Sequence, residues 1–206
     1  MARIATLPQY NGNLVCAVDL ETTGGDPEKH EIIQAAFVPL GTDYQQAPEK
    51  LPFYMDMRPL RPETADPAAT RVHGLDIDEL VTHGIHPDSA QERLINWFND
   101  LELAHDRRLI MVAHNCQFEF KFLTRWLGAT MMNRMFNSCT RDSMCAALMV
   151  NDHAVQHGRI PPFSSVSLTS LANHFGVNNP KAHNAYADAT TGALVYREIL
   201  KMDILV

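Results

Sequence analysis

Two continuous apolar runs constrain the fold most: LVCAVDL, from Leu14 to Leu20, and LIMVA, from Leu109 to Ala113. Each has the length of a strand rather than a helix, and their apolar residues are consecutive rather than alternating, so both predict buried strands. The first closes on an acid and runs into Thr22-Thr23-Gly24-Gly25, a turn signal. Further strands are expected over Glu31 to Leu40 (EIIQAAFVPL) and over Phe53 to Met57, the latter stopped by Pro59 and Pro62. Pro67 makes the stretch to about Arg71 loop-like or briefly helical. Helical spacing then takes over. Leu94, Ile95, Trp97, Phe98 and Leu101 share a helix that Asp88 can cap. Phe118, Phe122, Leu123 and Trp126 share one from Asn115 that ends at Gly128. Ser167 to Phe175 and Asn184 to Met202 read as the last two helices. Between Ala129 and Val166 the pattern is weaker, with a Met-rich stretch (Met131, Met132, Met135), a helix over Asp142 to Val150, and HAVQHGRIPPFSS as an exposed loop. Strands mixed with helices in this way define an α/β chain, a mixed sheet layered with helices. One domain over 14–206, preceded by an extension over 1–13, is the expected organisation.

Composition narrows the class. With 46% hydrophobic and 20% charged residues in 206, a core can form without disulfides, and disorder, collagen and coiled coil are excluded. Asp plus Glu number 24 against 17 Lys plus Arg, a net charge of −7. Such a chain is no basic coat for nucleic acid; any it handles must be gripped locally, with cations neutralising phosphate. Cys16, Cys116, Cys139 and Cys145 form no C-x-x-C pair and read as buried thiols of a reducing compartment. No apolar run approaches the ~20 residues of a membrane helix or the form of a signal peptide, so a cytoplasmic protein without membrane contact is expected.

The chemistry lies in the acids. Asp19 and Glu21 stand two apart at a strand end, which puts both carboxylates on one face, and two like charges so placed call for a cation. A lone D-x-E is common by chance; its company makes it informative. Glu119 follows the LIMVA strand on a helix, and Asp188 lies near the start of the last helix, five residues after His183. Four carboxylates and a histidine suit phosphodiester hydrolysis with two divalent ions about 4 Å apart. Carboxylates favour hard ions such as Mg²⁺ or Mn²⁺. His183, titrating near neutrality, fits the general base, on the loop entering the helix. His153 with His157, and His83 with His86, read as solvated histidines without further ligands.

Three segments together, VDLETTG (Val18 to Gly24) with IIQAA, HNCQFEFKFL (His114 to Leu123) and HNAYADATTGAL (His183 to Leu194), resemble the three motifs of the DEDDh, or DnaQ-like, 3′-to-5′ exonucleases. That family includes proofreading subunits of bacterial DNA polymerase III and phage exonucleases. ATRVHGLDIDEL (Ala69 to Leu80) and SLTSLANHFGV (Ser167 to Val177) resemble lesser family segments, and the likeness covers roughly Leu14 to Leu200. The resemblance implies a ribonuclease H-like fold, a mixed five-stranded sheet flanked by helices. It implies that Asp19, Glu21, Glu119 and Asp188 bind two metal ions and that His183 is the base. It further implies that Leu20, Thr22 and Thr23 meet the terminal nucleotide, that Val72 and His73 pack against its base, and that Asn115 faces substrate while His114 is structural. Phe118 either lines the pocket or belongs to the core.

The implied substrate is the 3′ end of single-stranded or frayed nucleic acid, with nucleoside 5′-monophosphates as products. DNA is favoured because VDLETTG and VHG look closest to the proofreading type, and oligoribonuclease-like action on RNA is the nearest alternative. A replication polymerase is a compatible partner, although the chain is expected to lack a long polymerase-binding tail and to be able to act alone. One position departs from the family, which carries Asp where this chain has Glu119. Full activity, a shift toward Mn²⁺, and a noncatalytic end binder or polymerase accessory are the three readings, and the intact remainder of the motifs favours the first. Glu102 and Asp106 precede the strand and cannot substitute, and Asp142 is expected to cap the helix after it.

Overall fold

Alternation along the first strand sorts the whole architecture. In the computed structural model, which describes residues 12–202, β1 (Leu14–Thr22) is the central strand of five, in the order β3-β2-β1-β4-β5. β2 (Ile32–Pro39) runs antiparallel to β1 and β3 (Phe53–Asp56) antiparallel to β2. On the other side, β4 (Leu109–Ala113) is parallel to β1 and the two-residue β5 (Arg141–Asp142) is parallel to β4. The expected mixed five-stranded sheet is therefore present. The expected extension over 1–13 lies outside the described residues apart from its last two positions.

Cys16, Val18 and Leu20 point to one face of the sheet. There they join a core with Leu94 and Phe98 of α3 (Pro87–Asp100) and Phe122 and Leu123 of α4 (Cys116–Met135). Val15 and Ala17 point to the opposite face, where Ala185, Ala189 and Ala193 form one side of α7 (Ala185–Leu200). Alanines four apart give that helix a flat, narrow stripe, which lets it lie close over β1 and β2. A third cluster joins α5 (Ser143–Gln156) and α6 (Leu168–Phe175) to α7 through Ala147, Val150, Leu171, Val195 and Ile199. Among the described residues no helix is long and apolar enough to cross a membrane.

Some local expectations hold and others are corrected. The stretch around Pro67 takes its helical alternative, α1 (Pro67–His73), capped by the Asp66 side chain, and a further short helix, α2 (Ile77–His83), follows it. Cys16 and Cys116 are buried as expected, but Cys139 and Cys145 are exposed. α3 begins at Pro87 with His86 as its cap, so Asp88 sits inside the first turn rather than ahead of it. The expected stop at Gly128 is real: its φ of 77° and ψ of 155° are open only to glycine, and the chain turns there before helix resumes through the Met-rich stretch. α5 continues to Gln156, past Val150, because nothing breaks it before Gly158. His153 is thus helical, with His157 just beyond, while His83 and His86 sit at helix ends rather than within one loop.

Candidate active site

The site is built where the end of β1 meets the start of α7. Asp19 and Glu21 share the face of β1 that α7 covers, and Asp188 lies in the first turn of α7. The three offer carboxylate oxygens that all lie within 4.8 Å of one another. Asn184 caps α7, its side chain accepting from the Ala187 N–H at 3.2 Å, and Asp188 follows four residues later. Glu119 has the same relation to Asn115, the N-cap residue of α4. Both acids therefore stand at the positive ends of helix dipoles, which favours their charge.

Gln34, in the middle of β2 and 1% exposed, seats α7 on the sheet. Its Oε1 accepts from the Ala185 N–H at 2.8 Å, and its Nε2 donates to Asp56 Oδ1 at 2.7 Å. Asn184 Nδ2 donates to the Tyr54 hydroxyl at 2.8 Å. One buried amide thus ties β3 to the first turn of the helix that carries Asp188. Sequence reasoning missed this role, although a glutamine inside the apolar run IIQAAFV was its signal, because a buried amide needs partners.

The acids are crowded. Burial, then Glu119, Glu21 and Asp188, raise the Asp19 carboxyl well above the usual carboxylate range. Glu21 is pushed up to about 7, by burial first and then by Asp188. Glu119 is enclosed and also raised, by burial and by the nearby Asp142 and Glu21, and its Oε2 has no hydrogen-bond partner. Carboxylates that repel one another in a buried place fit divalent cations: the donors are all oxygens, the separation suits shared coordination, and a cation would relieve both burial and repulsion. Glu119 interacts electrostatically with Asp19 and Glu21 but stands outside the group of three.

Asp142 is a cap, as expected, and for two helices. It accepts from the Met144 and Cys145 N–H groups at the start of α5, and from Asn115 and Cys116 at the start of α4. Glu119's helix is thereby fixed to the end of β5. Asn115 itself has φ 76°, a left-handed conformation that asparagine tolerates, and its side chain caps nothing. His114 bonds through Nδ1 to Ser143 Oγ at 2.9 Å, joining the end of β4 to α5.

His183 lies in the loop before α7, exposed, with φ 66°, and its backbone N–H donates to Asp188 Oδ2 at 3.0 Å. His73 ends α1 and is 8% exposed. Burial, and then His183, push its imidazole below the ordinary histidine range. Its Nδ1 accepts from the Leu75 N–H at 3.0 Å, which assigns the proton to Nε2, a buried atom with no partner. Val72 beside it is exposed. Phe118 is half-buried, its ring 4.8 Å from that of Phe122.

Leu20, Thr22 and Thr23 are 5%, 6% and 0% exposed. Leu20 belongs to the core, Thr22 Oγ1 donates to the Gly24 carbonyl, and Thr23 Oγ1 accepts from the Glu31 N–H. These side chains hold the strand end and its turn, and little of their surface is open. His153 and His157 lie at the α5 end with ring centroids 4.2 Å apart and tilted by 33°, and neither belongs to the carboxylate group.

Comparison with known proteins follows the same lines. The sequence model of the RNase_T family, described as Exonuclease, matches residues 16–196. The chain is 25% identical over 186 residues to the 3′-5′ DNA exonuclease Cap18 of Escherichia coli, covering 90% of this chain and 91% of the relative. It is 24% identical over 189 residues to ribonuclease T of Buchnera aphidicola, covering 89% and 82%. Its fold resembles E. coli Exonuclease I in complex with a dT13 oligonucleotide (TM-score 0.66, 16% identity, 92% of this chain). It also resembles Exonuclease I from Methylocaldum szegediense (TM-score 0.70, 20% identity, 93% of this chain). The chain spans 41% of the length of either Exonuclease I chain.

Proposed function

The chain belongs to the RNase_T exonuclease family, and from that premise we propose that it removes nucleotides from the 3′ end of single-stranded or frayed nucleic acid, DNA in preference to RNA, with two Mg²⁺ or Mn²⁺ ions. The observation that carries this reading is the convergence of Asp19, Glu21 and Asp188 from two elements onto one point, their ligand oxygens within 4.8 Å of one another. The preference for DNA is supported by the likeness to a relative named a DNA exonuclease and to a structure holding a dT13 oligonucleotide.

Asp19, Glu21 and Asp188 would hold the ions, with Glu119 as a further acid beside them. Divalent ions held there would offset charge on the scissile phosphate and lower the pKa of the attacking water. His183 takes the proton from that water. The water oxygen bonds to phosphorus, the bond to the neighbouring 3′ oxygen breaks, and that oxygen takes a proton from solvent, which leaves a nucleoside 5′-monophosphate and a strand with a new 3′ hydroxyl. Asp188 holds the His183 loop through its backbone N–H, so base and metal site share an anchor. Val72, His73, Asn115 and Phe118 border the terminal nucleotide, and Leu20, Thr22 and Thr23 support that wall from behind.

The test is a 5′-labelled single-stranded DNA and a matched RNA, each with a free or blocked 3′ end, in Mg²⁺, Mn²⁺ or EDTA. A metal-dependent ladder from the free end, faster on DNA, is expected. Retained binding to 3′ ends with no cleavage in either metal would overturn catalysis and favour an end-binding protein, with Glu119 as the altered group.

A further inference from the structure

We propose that Asn179 is a positioning residue that clamps the His183 loop to Asp188, so that one carboxylate sets both the metal ligand and the general base. The inference rests on the active-site reading above. Asn179 stands in the connection between α6 and α7, four residues before His183 and nine before Asp188. Its Nδ2 donates to Asp188 Oδ1 at 2.6 Å, while the His183 N–H donates to Asp188 Oδ2 at 3.0 Å. Each carboxylate oxygen accepts one bond from the same short loop and keeps acceptor capacity for a cation.

Two further features show that the contact is built. An ionised carboxylate only accepts, so the amide must turn its NH₂ to Asp188 and its carbonyl away; Asn179 Oδ1 is then buried with no partner. Buried acceptors are seldom left so, and here the orientation that leaves one is the orientation that makes the clamp. The loop also has little else to hold it. Residues 180 to 183 are exposed, and an open groove bordered by Asn178, Lys181, Tyr54 and Tyr186 runs along their outer side. His183 sits in the left-handed region, at φ 66°, so its backbone N–H is turned toward Asp188 by the loop's own conformation. Side chains that orient metal ligands in this manner typically control affinity or rate by 10- to 100-fold.

The test compares Asn179→Ala with Asn179→His, whose Nδ1–H offers a donor at similar reach. Three readouts are taken: Mn²⁺ affinity by calorimetry, hydrogen exchange of the His183 amide, and kcat against KM on a short single-stranded oligonucleotide. In Asn179→Ala, Mn²⁺ binding is expected to weaken roughly tenfold and kcat to fall 10- to 100-fold with KM within about twofold. Exchange at His183 should quicken, and Asn179→His should recover most of each loss. The proposal is overturned if a folded Asn179→Ala with unchanged melting temperature keeps native Mn²⁺ affinity and His183 exchange, or if the histidine variant is as impaired as the alanine one. Should Asn179→Ala fail to fold, Asn179→Ser takes its place in the same three measurements. Native protein that binds Mn²⁺ but leaves 3′ ends intact would end the exonuclease reading, while the affinity and exchange data would still judge the clamp.

Discussion

Glu21 is a carboxyl kept from its usual ionisation by its surroundings, and this makes stability depend on pH with a definite sign. Its ordinary value is 4.5 and in the fold it is pushed up to about 7, by burial and then Asp188. Between those values the folded protein holds a proton that the unfolded chain has released, so stability without metal falls as pH rises through this window and levels above it. Glu21→Gln removes the effect. In EDTA the variant should gain on the native protein between about pH 5 and 7 by an amount on the order of 3 kcal/mol, read from denaturant midpoints. Asp19 and Glu119 are raised too, chiefly by burial and partly by Glu21, so their share of the same trend shrinks along with it in the variant, while the lowered imidazoles of His73 and His114 act in the opposite direction and are present in both proteins. A difference that is flat or shrinks over that range would show that Glu21 is not held in this way. For Glu119, Asp is expected to retain activity and Gln to lose most of it; equal rates for the two would remove Glu119 from the ligand set. Residues of this kind were legible because strand alternation pairs Asp19 with Glu21 on one face, whatever the rest of the chain does. Asn179 was not, because its meaning is a bond to a residue nine positions on, across a loop that has no periodicity.

At the scale of elements, the long strands and the amphipathic helices were readable, because their residues repeat with the period of the structure they form. β5 was not, since two half-buried polar residues have no pattern and owe their strand geometry to pairing with β4. The count of five strands came from resemblance to a family rather than from periodicity. Helix starts were misjudged where a proline and the residue before it decided them, as at His86 and Pro87. How α7 is seated was likewise invisible, since Gln34 and Ala185 are 151 residues apart. Their bond yields a prediction. Gln34→Leu keeps the bulk but strands the Ala185 N–H in the interior, so it should cost roughly 1–3 kcal/mol in denaturant melts. Activity should fall by about tenfold or more, because a displacement near 1 Å of Asp188 is enough to do so. Tyr54→Phe removes a hydroxyl that interacts with Asn184 and Gln34 but leaves the Gln34–Ala185 bond in place, and should cost about 1 kcal/mol. Native stability in Gln34→Leu would mean that the alanine stripe alone positions α7.

For the molecule as a whole, charge decides how a nucleic acid can be held. The chain carries −7 overall, and six of its 17 lysines and arginines are already engaged: Lys29 with Asp26, Arg61 with Glu31, Arg107 with Asp106, Arg125 with Glu28, and Arg197 and Lys201 with Glu198. A strand laid across such a surface meets a net negative field, so its phosphates are expected to be neutralised chiefly at the carboxylate site, through divalent ions, near the 3′ end. Each phosphate neutralised by side chains on a single strand contributes a slope of about −0.7 to log K against log salt. Two or three such contacts give about −1.4 to −2.1. Binding of a fluorescent single-stranded 20-mer to a nuclease-impaired His183→Ala variant, which keeps the carboxylate site, measured from 50 to 300 mM KCl in fixed Mn²⁺, should therefore show a slope near −2 or shallower. It should also change little when the oligonucleotide is shortened to about six residues, and it should weaken when the 3′ end is blocked. A slope steeper than about −4, or affinity that climbs steadily with length, would mean that a basic track binds the strand far from its end, and that net charge misleads about where the substrate is gripped.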